Sequence, residues 1–455
     1  MQVLRKMPAS LHETPPQLPP WYYRLLIALL RPLYRVWLFT KQDKLPHYAR
    51  EIAERFGTNY KRPKPIAGKP VIWCHAVSLG ELNTAYPLLQ QYLAEGYGLY
   101  VTTTTQTGFG RAGALFEHEV ASGQVVYGFV PIDDLAVVYR FLVCVSPNIA
   151  LFMETELWAN TLFCLKRYAV PSVIVNARLV DKSFANYQRF KALSASMMNN
   201  VSLVIAQDTR TATNFLALGL DEDKLAVADS LKWSQTAVTD VVTKRQHERR
   251  TWLAASTHDG EELACLLAHK KLLADDPGAL LIIVPRHPER FEAVYTLCAE
   301  QLRTGRYSEG IIKASMQVYV LDTMGELINF YHQCDVALVG GSLVDIGGHN
   351  PLEPASLAKP VIMGCYTQAC EALLSALMAV GAAVQVGDSA DILGLYNALH
   401  HWLFAPAEAK KAGQAGQALT LSKAQAVIQQ KSHIDALLLR PVSYTHLTLP
   451  TSDLV

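Results

Sequence analysis

Three short segments carry the residue types for chemistry on an anionic substrate. Ser78-Leu79-Gly80-Glu81, Thr323-Met324-Gly325-Glu326 and Asn350-Pro351-Leu352-Glu353 each place a capping residue three positions before a glutamate. Such a pattern starts a helix, because the first side chain accepts from free backbone N–H groups and the glutamate suits the positive end of the dipole. The same N–H groups can hold a phosphate, so the two readings are compatible. Met153-Glu154-Thr155-Glu156-Leu157-Trp158 puts two carboxylates at the end of an apolar run, and Pro285-Arg286-His287-Pro288-Glu289-Arg290 puts two arginines after another. Carboxylates serve proton transfer and guanidinium groups bind phosphate. The bland alternatives are a solvated loop for the acids and surface ion pairs for the arginines. Gly340-Gly341-Ser342 and Gly347-Gly348 are expected to let backbone approach a ligand closely. Lys232, in Asp229-Ser230-Leu231-Lys232-Trp233, has no local mark beyond that of a surface lysine.

These segments need elements to position them. From about residue 70 the chain repeats β-branched runs and longer helical patterns: Val71–Val77, Leu99–Thr104, Val125–Val130, Ile149–Met153, Ser172–Asn176 and Leu203–Ala206. After a polar, charged stretch the runs resume with Trp252–Ser256, Leu280–Val284, Gln317–Leu321, Val336–Gly340 and Val361–Met363. Strands alternating with helices predict parallel α/β architecture, here two doubly wound domains. Ligands of such sheets bind beyond the carboxyl ends of the strands, where the polar segments above fall.

The front of the chain is different. Residues 1–70 hold 13 Lys+Arg against 4 Asp+Glu, net +9, leaving 28 against 36, net −8, for the rest. Within Trp21–Phe39, Arg31 and Arg35 each fall within about 20° of Arg24 at 100° per residue, while Leu25, Leu26, Leu29, Leu30 and Leu33 take other faces. This predicts a cationic amphipathic helix lying at an anionic membrane surface rather than spanning it. The alternative is that the leucines cover the protein's own core and the arginines are solvated. The preceding proline-rich stretch is expected to be disordered. Eight cysteines without a C-x-x-C pair or zinc spacing predict reduced thiols.

The runs His75-Ala76-Val77-Ser78-Leu79-Gly80-Glu81, Met153–Asn160, Asn176-Ala177-Arg178-Leu179, Ser256–Glu262, Val284–Phe291, Asp322–Leu327 and Val339–Glu353 resemble, in order and over about residues 21–437, those of 3-deoxy-D-manno-octulosonic acid (Kdo) transferases. The resemblance implies a GT-B fold, two Rossmann-like domains with a cleft between them. It implies transfer of Kdo from CMP-Kdo to the lipid A precursor (lipid IVA) in lipopolysaccharide core biosynthesis, at the cytoplasmic side of the inner membrane. The protein would be peripheral there or anchored by the helix, with no nucleic acid among its partners. Carried over by motif, Glu81 is the general base, and Glu154 and Lys232 support the transition state. Chemistry alone does not separate Glu154 from Glu156; motif position selects Glu154. The nucleotide site would comprise Pro285, Arg286, Met324, Gly325, Glu326, Asn350, Pro351, Leu352 and Glu353, with Glu353 on the ribose and the 324–326 backbone reading the cytosine. Inverting transfer needs one base, and no acid, because CMP leaves as an anion among preorganised donors. No metal or other cofactor is therefore expected, and no Asp-x-Asp clamp stands at a strand end. A sugar-nucleotide epimerase or a lipid-bound scaffold are the other readings; the front end opposes the first and the clustered Glu81, Arg286 and Glu353 oppose the second.

The expected organisation is a disordered extension at 1–20, a membrane-associated helix at 21–40, an acceptor-binding domain at 41–233, a hinge at 234–250, a CMP-sugar-binding domain at 251–440 and an atypical tail at 441–455.

Overall fold

In the computed structural model of the chain the described residues are 14–234, 245 and 247–439. They form two compact units. The first holds a seven-stranded sheet of β1 (Val71–His75), β2 (Gly98–Thr103), β3 (Val125–Phe129), β4 (Ile149–Met153), β5 (Ser172–Ala177), β6 (Leu203–Ala206) and β7 (Leu225–Val227), in the order β3-β2-β1-β4-β5-β6-β7. The second holds β8 (Thr251–Thr257), β9 (Leu280–Pro285), β10 (Thr304–Arg306), β11 (Val318–Val320), β12 (Val336–Val339), β13 (Val361–Met363) and β14 (Ala383–Gln385), in the order β10-β11-β9-β8-β12-β13-β14. Every strand pair is parallel.

Parallel strands covered by helices on both faces must be apolar throughout, and β1, β2, β4 and β5 are buried at every residue. Among the described residues no disulfide joins any of the eight cysteines. The strand order reverses direction between β1 and β4 in the first sheet and between β8 and β12 in the second, the crevices where open α/β sheets take ligands.

Three expectations are corrected. The last helix, Ala426–Leu438, belongs to the first unit and not to a domain running to 440. Val427 and Ile434 join the core beneath β1, Tyr92 donates to Asp435 (2.9 Å), and Lys431 bonds both Glu95 (2.9 Å) and Asp435 (2.7 Å). Its buried face thus has its apolar and polar partners in the first unit. Of the expected hinge, Arg245 and residues 249 and 250 are tied into the second unit: Arg245 pairs with Asp335 (2.5 Å), and Arg249 donates to the carbonyls of Gly278 (2.7 Å) and Met316 (2.5 Å). Residues 235–244 and 246 lie outside the described residues, as do 1–13 and the expected tail at 441–455. Residues 14–20, expected to be disordered, are held by side chains: Asn200 brackets Gln17 with two bonds (2.9 and 2.7 Å), Asn199 donates to Pro15 O (3.0 Å), and Lys166 to Thr14 (2.9 Å). Proline lacks N–H groups but keeps carbonyls that such donors can satisfy.

The first helix, Trp21–Thr40, has its expected length but the opposite orientation to the alternative of a leucine-covered core. Tyr23, Ile27, Arg31, Tyr34 and Leu38, at i, i+4, i+8, i+11 and i+15, face the first unit. Tyr23 donates to buried Asp133 (2.7 Å), Arg31 pairs with Asp134 (3.5 Å), and Leu38 is buried. Leu25, Leu26, Leu29, Leu30 and Leu33 are exposed. Nor do the arginines form one solvated stripe, since Arg31 is paired and Arg35 lies over the Phe56 ring. Among the described residues no helix is long and apolar enough to cross a membrane.

Candidate active site

At the crevice of the first sheet, β1 ends at His75 and the Leu79–Ala94 helix begins with Ser78 as its N-cap, accepting from Glu81 N (3.4 Å). Glu81 reaches back to accept from Val77 N (2.8 Å). The capping reading is therefore correct, and it points the carboxylate into the crevice beyond β1. Burial pushes the Glu81 carboxyl up to about 7, the Val77 hydrogen bond pulls it down, and the neighbouring Glu154 and Glu156 raise it further. A carboxyl poised there exchanges protons near neutrality.

Glu154 follows β4 in the left-handed region (φ 55°), which swings its side chain out of the strand direction. Its Oε1 lies 3.9 Å from Lys232 Nζ. The two acids that the sequence leaves equivalent are thus distinguished: Glu154 faces the lysine, whereas Glu156 accepts from Trp158 Nε1 (2.7 Å) and lies 3.8 Å from His75 Nε2. Burial raises the Glu156 carboxyl.

Lys232 sits on a short turn, Leu231–Ser234, held by Asn176 near the end of β5. Asn176 Oδ1 accepts from Ser230 Oγ (3.0 Å) and Leu231 N (2.9 Å), and its own N–H donates to Gln430 of the last helix (3.0 Å). Asn176 is a positioning residue that the motif contained but no local signal explained. Asn176→Ala should lower stability by about 1–3 kcal/mol, the cost of an orphaned buried donor, and reduce turnover about tenfold by unmooring Lys232. Thermal unfolding and kcat, measured together, check it; wild-type turnover in a destabilised variant would separate the two roles.

His75 was not singled out by spacing. It is fully buried, and burial pushes it down to about 4, so it is neutral at pH 7. Its Nδ1 faces the Thr102 carbonyl (3.1 Å), which can only accept, so the proton belongs on Nδ1 and Nε2 is left as an acceptor.

In the second unit Arg286 follows β9, its N–H bonding Thr257 O (3.0 Å) across the strand ends. Its guanidinium is exposed and makes no hydrogen bond or ion pair among the described residues, whereas Arg290 is taken by Glu262 (2.6 Å) and Asp259 (3.1 Å). The ion-pair alternative holds for one arginine only. Three imidazoles surround the same point: His258 after β8 and His349 after β12 meet Nε2 to Nε2 at 2.7 Å with stacked rings, and His287 stands edge-on to His258. Burial depresses both His258 and His349, the latter to about 4, and their mutual repulsion and Arg286 depress His349 further. Both imidazoles are therefore held towards the neutral form beside the exposed Arg286 guanidinium.

Glu353 is the counterweight. Burial raises its carboxyl, while a hydrogen bond from Asn350 and the charge of Arg286 lower it. Asn350 Oδ1 accepts from Leu352 N (3.0 Å), as its place before Pro351 predicts, and Pro351 and Leu352 are buried beneath the turn. Pro285 is the buried last residue of β9. The structure so brings Arg286 and Glu353 together. Met324, Gly325 and Glu326 follow β11 without the predicted cap: the Leu327–Tyr331 helix starts beyond Glu326 with no side-chain cap, and Glu326 accepts from Asn329 (2.7 Å).

The glycine-rich loop is a further correction. The amides of Gly341, Ser342 and Leu343 all donate to buried Glu261 (2.8, 3.1 and 2.9 Å), which also accepts from His258 N (2.8 Å). A Cβ on Gly340 would stand 2.6 Å from Ser256 O. The loop closes on the protein's own carboxylate and on its neighbouring strand, leaving those amides no role toward a ligand. Among the described residues no group of three or more His, Cys, Asp or Glu is arranged to hold a metal ion.

Comparison with known proteins follows the same lines. Residues 50–235 match the family model described as 3-deoxy-D-manno-octulosonic-acid transferase (kdotransferase). The chain is 35% identical over 389 residues to a 3-deoxy-D-manno-octulosonic acid transferase of Haemophilus influenzae, covering 82% of this chain and 88% of that one. It is also 35% identical to the C-terminal CMP-Kdo binding domain of WaaA from Acinetobacter baumannii, over 40% of this chain and 90% of that one, with a TM-score of 0.34. A glycosyltransferase from Rickettsia africae shares the fold, with a TM-score of 0.56 at 14% identity over 82% of this chain and 100% of that one.

Proposed function

Because the chain belongs to the 3-deoxy-D-manno-octulosonic acid transferase family, and is thereby a Kdo-transferring glycosyltransferase, we propose that it moves Kdo from CMP-Kdo to lipid IVA with inversion at the anomeric carbon, releasing CMP. The observation that carries this reading is the Glu81 carboxyl held at about 7 at the crevice of the first sheet, with the Glu154–Lys232 pair beside it. In its ionised form Glu81 takes the proton from the acceptor hydroxyl as that oxygen attacks the anomeric carbon. The bond to the phosphate oxygen breaks, and the departing CMP keeps the electron pair. Lys232 and Arg286 stabilise negative charge as it develops, and Glu154 holds the lysine in place. Arg286 with His258, His287 and His349 receives the phosphate, Glu353 the ribose hydroxyls, and the backbone of Met324–Glu326 the base. Both groups must act on one reacting pair, and a cleft between the two domains is part of the proposal.

The first helix supports a membrane-bound acceptor. Leu25, Leu26, Leu29, Leu30 and Leu33 are exposed together with Trp21, Val36, Trp37 and Phe39, an apolar face of the kind that marks a partner or lipid surface. In this reading that face sits in the cytoplasmic leaflet of the inner membrane, and the protein is peripheral.

Incubating the full chain with CMP-Kdo, with and without lipid IVA and in excess EDTA, tests the proposal. CMP release that requires the lipid, together with a lipid mass increased by Kdo, is the expected outcome at undiminished rate in EDTA. Conversion of the nucleotide sugar without acceptor would instead favour an epimerase and end this reading.

A further inference from the structure

Between the first helix and the loops after β3 and β4 runs a groove of about 490 Å³, within the range of a small-molecule site. Ile27, Leu30, Leu33 and Trp37 wall it on the helix side, Ile132 and Trp158 on the other. We infer that this groove holds one acyl chain of the lipid acceptor and so fixes the acceptor's position at Glu81. The inference rests on the lipid-acceptor reading above.

Three observations select a hydrocarbon chain. The charged groups in the walls are already engaged: Arg55 with Glu51 (2.7 Å) and Thr104 O (2.6 Å), Arg31 with Asp134 (3.5 Å), and Asp133 with Tyr23 (2.7 Å) and Thr161 (2.6 Å). A sugar or peptide lying along the groove would find no free charge to meet it, whereas a methylene chain needs only contact. The outer end is continuous with the exposed apolar face of the first helix, since Leu30 and Leu33 belong to both. A chain can therefore enter from a bilayer without crossing water. Trp158, which also lines the groove, donates to Glu156 (2.7 Å), one of the two acids that raise Glu81. A chain lodged there leaves its polar head at the carboxylates.

The test compares acylated with deacylated lipid IVA as acceptors for the full chain and for Ile27→Trp and Leu30→Trp, which fill the groove with apolar bulk. Expected is a fall of about tenfold in the ratio of kcat/KM for the acylated over the deacylated acceptor, the equivalent of losing burial for two methylene groups, while co-sedimentation with phosphatidylglycerol vesicles is retained. An unaltered ratio in both variants overturns the inference, as does a fall matched by lost vesicle binding. If the ratio stays and gel filtration shows the variants shifting oligomeric state, a second copy of the chain covers the groove and the inference is again overturned. Failure of the unaltered chain to use either acceptor rejects the lipid-acceptor reading itself, and this inference with it.

Discussion

Glu81→Gln is expected to lower kcat by about 10²–10⁴-fold, the usual worth of a positioned general base, in a protein that folds normally. Glutamine keeps an oxygen for Val77 N and leaves Ser78 as the helix cap, so the loss isolates proton transfer from architecture. The pH profile gives the sign. With the carboxyl pushed up to about 7, the base form accumulates as pH rises through neutrality, so kcat/KM of the natural chain should climb over that range and flatten above it. The variant should lose that limb. Stability should move the other way. A carboxyl raised on folding contributes stability that is complete below its unfolded value and lost as pH rises through 7. Glutamine carries no such penalty, so the variant should melt above the natural chain at pH 8 and with it at pH 4. Near-wild-type turnover with a retained acidic limb would transfer the role of base to Glu156, whose carboxyl burial also raises.

Arg286→Ala is expected to weaken CMP binding by about 10–100-fold, since hydrogen bonds to charged groups contribute about 1.5–3 kcal/mol. Arg286 spends nothing on the protein's own ion pairs among the described residues, so its removal should leave thermal stability unchanged, whereas Arg290 is locked to Glu262. Titration calorimetry with CMP at two salt concentrations measures both the loss and a weaker salt dependence, as expected when one phosphate contact is removed. The donor KM should rise with it. Unaltered CMP affinity would move the phosphate away from the imidazole cluster and end the assignment of this crevice.

Much of this was readable from residues in line. The apolar runs of β1 to β6 and of β8, β9, β11, β12 and β13 announce themselves because a strand buried on both faces needs consecutive apolar side chains. Three-residue strands β7, β10 and β14 do not, being short and in part exposed. Ser78 and Glu81 lie within one helical turn, so their pairing is local and legible. Asn350 before Pro351 is legible for the same reason.

What the chain in line did not contain is who satisfies whom across space. Glu261 reads as one more acid near a helix start, yet it consumes the amides of a loop 80 residues away. His258 and His349 become a pair only when β8 and β12 lie side by side. Glu154 and Glu156 are two positions apart and chemically alike; the left-handed turn at Glu154 and the anchoring of Lys232 by Asn176 separate them. The first helix shows an apolar and a basic face in its period, but only Asp133 and Asp134, in the loop after β3, decide which face turns inward. Periodicity records how a segment must be solvated along its own axis. The choice among several donors and acceptors depends on distances set by the packing of the sheets, and so it belongs to the tertiary structure.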